Sequence, residues 1–153
     1  MSRKPYFKAV PGAPEPLRAT VERRIRFEEV DPLGIVWHGR YPSYFEDGRV
    51  HLGQLYGIGY QDFREHSVAA PIKQMHMDYI KPLSFGEVAY VEAIIHWNEA
   101  ARLNYEFIIR NEDQEITTTG YTVQLFVDSA QELMMFPPAF YMDFLERWKG
   151  GQL

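Results

Sequence analysis

Residues 27–56 read FEEVDPLGIVWHGRYPSYFEDGRVHLGQLY and hold the strongest structural signals in the chain. The residues that lead into this stretch alternate in polarity, which is the pattern of a half-buried strand. One face of that predicted strand carries Val21, Arg23, Ile25 and Phe27. The alternation stops at Asp31 and Pro32, because proline cannot donate to a ladder, and Gly34 then permits a sharp bend. We therefore expect a structured loop over residues 31–40 that begins with Asp31.

A long helix is predicted after this loop. Pro42 suits its first turn, and apolar residues then recur at three- and four-residue steps, which gives one stripe. The stripe consists of Tyr41, Tyr44, Phe45, Gly48, Leu52 and Leu55. Gly48 costs about 1 kcal/mol of helix propensity relative to alanine, so its place in the stripe predicts that a sheet approaches the helix closely. We expect the helix to end at Gly57.

The remainder of the chain is predicted to form a short helical turn at residues 60–66, four strands and a second helix. The strand patterns cover residues 72–80, 88–97, 103–109 and 121–127. Ala89 and Ala93 on the second of these strands are small enough to make room for the helix at Gly48. Pro137 and Pro138 precede an amphipathic C-terminal helix. This order indicates an α+β domain in which an antiparallel sheet wraps around a long central helix.

The composition favours one domain without cysteine chemistry. The chain has 153 residues, of which 46% are hydrophobic and 15% aromatic, and this is enough to bury a substantial core. A net charge of −5 argues against nucleic acid or an anionic membrane as the main partner. The absence of cysteine excludes disulfides, a thiolate nucleophile and cysteine metal ligands.

The N-terminal residues are rich in proline, so we expect an extended arm over residues 1–19, followed by one domain over residues 20–153. A free terminus is the favoured interpretation of the arm, although Tyr6 and Phe7 are suited to packing. Charged residues interrupt each apolar run before it reaches the roughly 18 residues of a membrane span. We expect a soluble, cytoplasmic protein.

Two motifs resemble the 4-hydroxybenzoyl-CoA thioesterase family of hotdog-fold proteins. The run DPLGIVWH at residues 31–38 matches the family signature D-x-x-G-x-V, an aromatic residue and then His or Tyr, followed by the central helix. The run YIKPLSFGE at residues 79–87 resembles the family's aromatic-x-x-Pro-Leu-x-aromatic-Gly-Asp turn, with Glu87 in place of Asp. The resemblance covers roughly residues 20–128.

This resemblance implies a hotdog fold with a C-terminal helix, and a thioesterase that hydrolyses a small or medium acyl or aroyl thioester. The substrate is expected to be an acyl-CoA or an acyl-carrier-protein thioester, with no metal and no other cofactor. Hotdog domains pair edge to edge and bind the thioester between subunits. We therefore expect a homodimer or a dimer of dimers.

Asp31 is the first catalytic candidate. An Asp before Pro is usually a turn-former, and the resemblance is what favours catalysis here. Thioester hydrolysis needs either a nucleophile or a base that activates water, and a carboxylate can serve as either. The amides near residues 38–41 combine free N–H groups with the positive end of the helix dipole, so they are suited to a developing oxyanion.

His38 and Glu46 complete the candidate catalytic set. His38 matches the family's His or Tyr position, and a structural role is as plausible as a catalytic one. Glu46 either forms a solvated ion pair with Arg49 or orients water or substrate at a subunit interface. The expected substrate-binding residues lie in the loop and first turn: Gly34, Val36, Trp37, Gly39, Arg40 and Tyr41.

Other chemistries have little support in the sequence. No G-x-S-x-G, G-x-x-x-x-G-K-[ST] or G-x-G-x-x-G motif is present, and the histidines lack metal-ligand spacing. Possible ligands for the CoA phosphates are Lys73, Lys81, Arg102 and Arg110, and none is assigned. Two alternatives to a thioesterase remain: a hotdog hydratase or dehydratase that uses Asp31 and His38, and a dimer that binds acyl thioesters without catalysis.

Overall fold

The structure is a computed structural model that describes residues 3–153. Its single sheet is antiparallel and has five strands in the order β1-β3-β4-β5-β2. The strands are β1 Leu17–Arg24, β2 Ile72–Tyr79, β3 Val88–His96, β4 Arg102–Arg110 and β5 Ile116–Leu125. The helices are α1 Tyr41–Tyr56, α2 Tyr60–Glu65 and α3 Ala139–Lys149, with 3-10 turns at Phe27–Glu29 and His38–Arg40. The predicted α+β class with a long central helix and a C-terminal helix is confirmed. Among the described helices, none has the length and apolar character needed to cross a bilayer.

Helix α1 lies against the sheet at Gly48, as predicted. A Cβ atom at Gly48 would lie 3.1 Å from Val91 Cγ1 and 3.3 Å from Ala93 Cβ, so the glycine and the alanine together set the close approach. The predicted burial of Leu55 is wrong, because this side chain is 60% exposed. The chain turns at Gly57 and folds back against Gly53, so that Gly53 is buried and Leu55 is not.

The first strand ends earlier than the alternation predicts. The chain leaves β1 at Arg24 and enters the 3-10 turn at Phe27–Glu29, which leaves Phe27 79% exposed and corrects its predicted position. Glu29 is buried instead, and its carboxylate pairs with Arg23 at 3.0 Å. Arg23 also contacts Asp47 of α1 at 2.6 Å. This cluster fastens β1, the 3-10 turn and α1 to one another.

Strand β5 presents small and polar residues to α1. Phe107 is paired with Gly120, where a Cβ atom would lie 2.8 Å from the Phe45 ring. The Phe45 ring stacks on Phe107 with 4.4 Å between centroids, and it fills the space that a larger β5 side chain would need. β5 begins at Ile116, and the apolar pattern indicates only its later part because the threonines at residues 117–119 are polar.

The N-terminal arm packs on the sheet face opposite α1. The Tyr6 hydroxyl donates to Asp78 Oδ2 at 2.6 Å, and the Phe7 ring lies 5.3 Å from the ring of His96. A free terminus is therefore the wrong interpretation for these residues. The arm is also shorter than expected, because β1 begins directly after Pro16 and pairs with β3 from Leu17 onward.

Candidate active site

The loop that carries Asp31 is closed by backbone hydrogen bonds. The Asp31 amide donates to Ile35 O at 2.8 Å, and the Gly34 amide donates to Asp31 O at 2.9 Å. Gly34 has φ of +78°, a left-handed conformation that glycine adopts without strain. Val36 donates to Leu83 O at 2.8 Å, which ties the loop to the second sequence motif. Asp31 is therefore held at the start of a rigid turn.

One oxygen of the Asp31 carboxylate is used by the turn itself. Oδ1 accepts a hydrogen bond of 2.8 Å from the Leu33 amide. Within residues 3–153 no side chain or amide donates to Oδ2. The carboxylate is thus oriented by the turn through one oxygen, and Asp31 lines a neighbouring cleft.

That cleft has a volume of about 300 Å³ and lies between the loop, the start of α1 and the end of β2. Its lining residues are Asp31, Ile35, Val36, His38, Tyr41, Tyr79, Ile80, Lys81 and Pro82. We call it the Asp31 cleft. It brings together four of the predicted site residues, which are Asp31, Val36, His38 and Tyr41. Gly34 and Asp31 also line a second cleft, of about 460 Å³, together with Phe27 and Phe85.

The turn between Trp37 and Tyr41 supplies the candidate oxyanion donors. A Cβ atom at Gly39 would lie 2.3 Å from the Trp37 ring, so the ring packs directly on the glycine. Arg40 uses both its amide and its side chain in hydrogen bonds: the amide donates to Trp37 O, and the guanidinium donates to Glu28 O. The amides of Arg40 and Tyr41 close the 3-10 turn, whereas among residues 3–153 no carbonyl outside the helices accepts from the amides of His38 or Gly39. Those amides are the candidates for donating to the oxyanion.

Tyr79 lines the Asp31 cleft and is absent from the residues that the sequence predicts for the site. Its hydroxyl donates to His38 O at 2.8 Å, and its ring lies 5.2 Å from the ring of Tyr41. Burial raises the pKa of Tyr79 above its usual value, so the hydroxyl stays protonated and able to donate at neutral pH. Tyr79 opens the YIKPLSFGE motif, which indicates the family but does not by itself assign a role to this residue.

Glu46 and Arg49 lie further along α1, and Glu46 does not line the Asp31 cleft. Arg49 Nη1 contacts Glu46 Oε2 at 3.1 Å, which confirms their pairing. The expectation of a solvated pair is wrong for Arg49, whose side chain is only 4% exposed. Its guanidinium carbon lies 5.6 Å from the Phe107 ring, and Nη1 also donates to the hydroxyl of Tyr60. The polar face of β5 leaves room for this buried cation.

No group of three or more His, Asp or Glu side chains in the described part of the chain is arranged to hold a metal ion.

The chain belongs to the thioesterase-like superfamily, whose family profile matches residues 25–144. A Bacillus subtilis (strain 168) protein, YneP, which carries the provisional name acyl-CoA thioesterase, is 31% identical over 107 residues. That match covers 70% of this chain and 78% of the relative. The resemblance to hotdog thioesterases is confirmed at the level of this superfamily, and membership of the 4-hydroxybenzoyl-CoA branch stays a prediction.

Solved structures share the fold. A DHNA-CoA thioesterase from Staphylococcus aureus superposes with a TM-score of 0.78 at 24% identity, covering 88% of this chain and 91% of that one. Another S. aureus protein, whose structure is a complex with CoA, gives a TM-score of 0.74 at 17% identity, covering 96% of this chain and 90% of that one. At these identities the likeness establishes the hotdog fold.

Proposed function

We propose that this protein is an acyl-CoA thioesterase in which Asp31 is the catalytic carboxylate. The observation that carries the proposal is the lining of the Asp31 cleft, which brings Asp31 together with His38 and Tyr41 at the start of α1. One oxygen of the Asp31 carboxylate has no hydrogen-bond donor among residues 3–153. Membership of the thioesterase-like superfamily supports the reaction class. The names of the similar proteins, among them acyl-CoA and DHNA-CoA thioesterases, support CoA thioesters of small, medium or aromatic acids as substrates.

Two reaction paths suit a carboxylate in this position. As a general base, Asp31 takes a proton from water while the water oxygen bonds to the acyl carbon; the tetrahedral intermediate then expels the CoA thiolate, which takes up the proton. As a nucleophile, Asp31 forms a mixed anhydride and releases the CoA thiolate, and water then hydrolyses the anhydride to regenerate the carboxylate. In both paths negative charge develops on the carbonyl oxygen, where amides at the start of α1 stabilise it.

The other candidates are assigned supporting roles. His38 contributes through its backbone, because its carbonyl is fixed by Tyr79 and its amide faces no acceptor in the loop. Glu46 is 52% exposed and paired with Arg49, and we assign it the orientation of water or substrate at a subunit interface. Val36 and Tyr41 line the cleft, while Gly34, Trp37, Gly39 and Arg40 shape the loop and turn around it.

A homodimer formed through the β2 edge is part of the proposal. Strand β2 lies at one end of the sheet, and its exposed side chains include Ile72, Met75 and Tyr79. An open edge with apolar side chains pairs readily with another strand, and a second copy of the same edge pairs with it around a two-fold axis.

The proposed function is tested by incubating the purified protein with a panel of acyl-CoA and aroyl-CoA thioesters and measuring the free thiol that is released. We expect thiol release that depends on the protein. A change in enoyl absorbance without thiol release would instead indicate a hydratase. Binding without turnover across the panel would indicate a thioester-binding dimer.

A further inference from the structure

A second cleft lies at the opposite end of β2 from Asp31. Its volume is about 770 Å³, and we call it the α2 cleft because helix α2 forms one of its walls. Apolar side chains line the walls, among them Phe63, Val68, Ala70 and Val127, while Arg64 and Lys73 also contribute to the lining. The cleft therefore combines apolar walls with two basic side chains.

Both cations lack an ion-pair partner among the described residues, although the chain carries a net charge of −5. Of all carboxylates in residues 3–153, none lies within 4.0 Å of Arg64 or Lys73. The acidic residue of the same cleft, Asp128, uses Oδ1 to accept two amides of its own loop, from Ala130 and Glu132. Neither basic side chain therefore forms a salt bridge within the described chain.

The other cations that the sequence offered for phosphate binding are already engaged. Lys81 pairs with Glu115, and Arg110 contacts Glu92 at 3.1 Å. Arg102 donates to the side-chain oxygen of Asn104 at 2.8 Å. The contrast singles out Lys73 among those four residues and adds Arg64, which the sequence analysis did not consider.

The two clefts lie at opposite ends of one edge strand. The Asp31 cleft includes Ile80 and Lys81 at the end of β2, and the α2 cleft includes Pro71 and Lys73 at its start. Two copies of β2 that pair antiparallel around a two-fold axis place the end of one strand beside the start of the other. The strands then lie about 4.8 Å apart, and a two-fold axis perpendicular to the sheet keeps both central helices on one face.

Prolines limit the register of this pairing. Pro71 and Pro82 flank the strand, and neither can donate a hydrogen bond, so the pairing is centred between them. The Asp31 cleft of one protomer and the α2 cleft of the other are consequently neighbours. Each half-open cleft becomes part of a longer one that crosses the subunit boundary.

We propose that Arg64 and Lys73 of one protomer bind the phosphate groups of the CoA thioester whose acyl carbon lies at Asp31 of the other protomer. This inference rests on the proposed function. The apolar wall of the α2 cleft contacts the pantetheine arm, and the cations recognise phosphate by charge and hydrogen bonding. The site is incomplete in a single chain, because catalysis and phosphate recognition come from different subunits.

The first test removes the two charges while keeping polar side chains of similar reach, in the double variant Arg64→Gln/Lys73→Gln. We expect KM for an acyl-CoA to rise at least about 10-fold, the loss of one charge-assisted hydrogen bond, with kcat unchanged. The KM for the matching acyl-pantetheine, which has no phosphate, should stay at the wild-type value. Arg147→Gln/Lys149→Gln on α3 is the matched control, because it removes the same charge outside both clefts. Equal KM values for acyl-CoA in the double variant and wild type would overturn the proposal.

The second test asks which subunit supplies the cations. Chains that carry Asp31→Asn are co-expressed with chains that carry Arg64→Gln/Lys73→Gln, using two affinity tags to isolate the mixed dimer. If each site is shared between subunits, one of the two sites in the mixed dimer is intact, and kcat/KM should be about half that of the wild type. If both features act within one chain, no site is intact, and kcat/KM would not exceed that of the double variant.

A third measurement separates this inference from the proposed function. CoA itself is titrated into the wild-type protein and the double variant by calorimetry, which needs no turnover. Weaker CoA binding by the double variant supports the phosphate site even if the wild type hydrolyses no thioester. Equal affinity would overturn the phosphate site whatever the activity.

Discussion

The hydroxyl of Tyr79 donates a hydrogen bond of 2.8 Å to the carbonyl oxygen of His38, and this contact joins the sheet edge to the turn that opens α1. The edge is the surface through which we propose that two copies pair, and the turn carries the proposed oxyanion donors. Pairing of the edge and geometry of the site are therefore linked through one side chain.

Replacing Tyr79 with phenylalanine tests this link. Tyr79→Phe leaves the His38 carbonyl without its donor but keeps the ring against Tyr41. We expect kcat for thioester hydrolysis to fall by about 3- to 10-fold, in line with about 1 kcal/mol for one hydrogen bond. Steady-state kinetics measures the effect, with Tyr90→Phe on β3 as the control. Wild-type kcat in Tyr79→Phe would show that the turn needs no such support.

Gly48→Leu should destabilise the fold. The new side chain would meet Val91 and Ala93, which already lie 3.1 and 3.3 Å from the position of a Cβ atom. Overpacking of this kind costs about 1–3 kcal/mol, and a leucine has little room to turn away. Urea denaturation followed by circular dichroism measures the loss, and Gln54→Leu, at an exposed position of the same helix, is the control. Equal midpoints for Gly48→Leu and wild type would mean that α1 is not seated at Gly48.

Arg23→Met should destabilise the protein in a pH-dependent way. Burial alone raises the pKa of Glu29, but its hydrogen bonds and the positive charge of Arg23 outweigh that effect and lower it. A carboxyl with a lowered pKa stabilises the folded state above its unfolded pKa of about 4.3 and loses that contribution as the pH falls through the folded value. Without Arg23, the buried carboxylate has lost its positively charged partner, at a cost of about 3 kcal/mol at pH 7.

The difference in Tm between Arg23→Met and wild type should therefore be largest near neutral pH and shrink below about pH 4. Arg18→Met is the control. Arg18 lies on the same strand, but its side chain is exposed and its contact with Glu92 is longer, at 3.5 Å. A Tm difference that stays constant from pH 7 to pH 3 would contradict the role of the Glu29 charge.

His38→Gln should retain most of the turnover. The features that we assign to His38 belong to its backbone, and a glutamine side chain leaves both the amide and the carbonyl in place. We expect kcat within about 3-fold of wild type and an unchanged pH–rate profile near neutrality, where an imidazole titrates. A large loss of kcat in a stable variant, with one limb of the profile removed, would make the His38 side chain catalytic.

The local signals in the sequence predicted the centre of the fold correctly. The bend at Gly34, the end of α1 at Gly57 and the close approach at Gly48 all follow from the backbone chemistry of single residues. Such constraints act within a few residues, so they can be read from one chain without knowing its tertiary contacts.

The errors fall where tertiary structure overrides the local pattern. Phe27 fits the strand alternation, but the chain enters a 3-10 turn there because Glu29 is held by Arg23. Arg49 is charged, and its burial depends on polar residues of β5 that are distant in sequence. Arg64 lies on a short helix without a motif, and its significance depends on a cleft and on the proposed second subunit. None of these relationships produces a periodic pattern in the sequence.

The most direct measurement compares Asp31→Asn with wild type at saturating acyl-CoA. Asparagine can still accept the Leu33 amide, so the turn should persist while the base or nucleophile is lost. We expect kcat for thiol release to fall at least about 100-fold, the usual scale of a general-base contribution, with Tm and dimer mass unchanged. Asp113→Asn, in the exposed turn after β4, should behave as wild type. Near-wild-type thiol release by a folded Asp31→Asn would contradict the proposed mechanism.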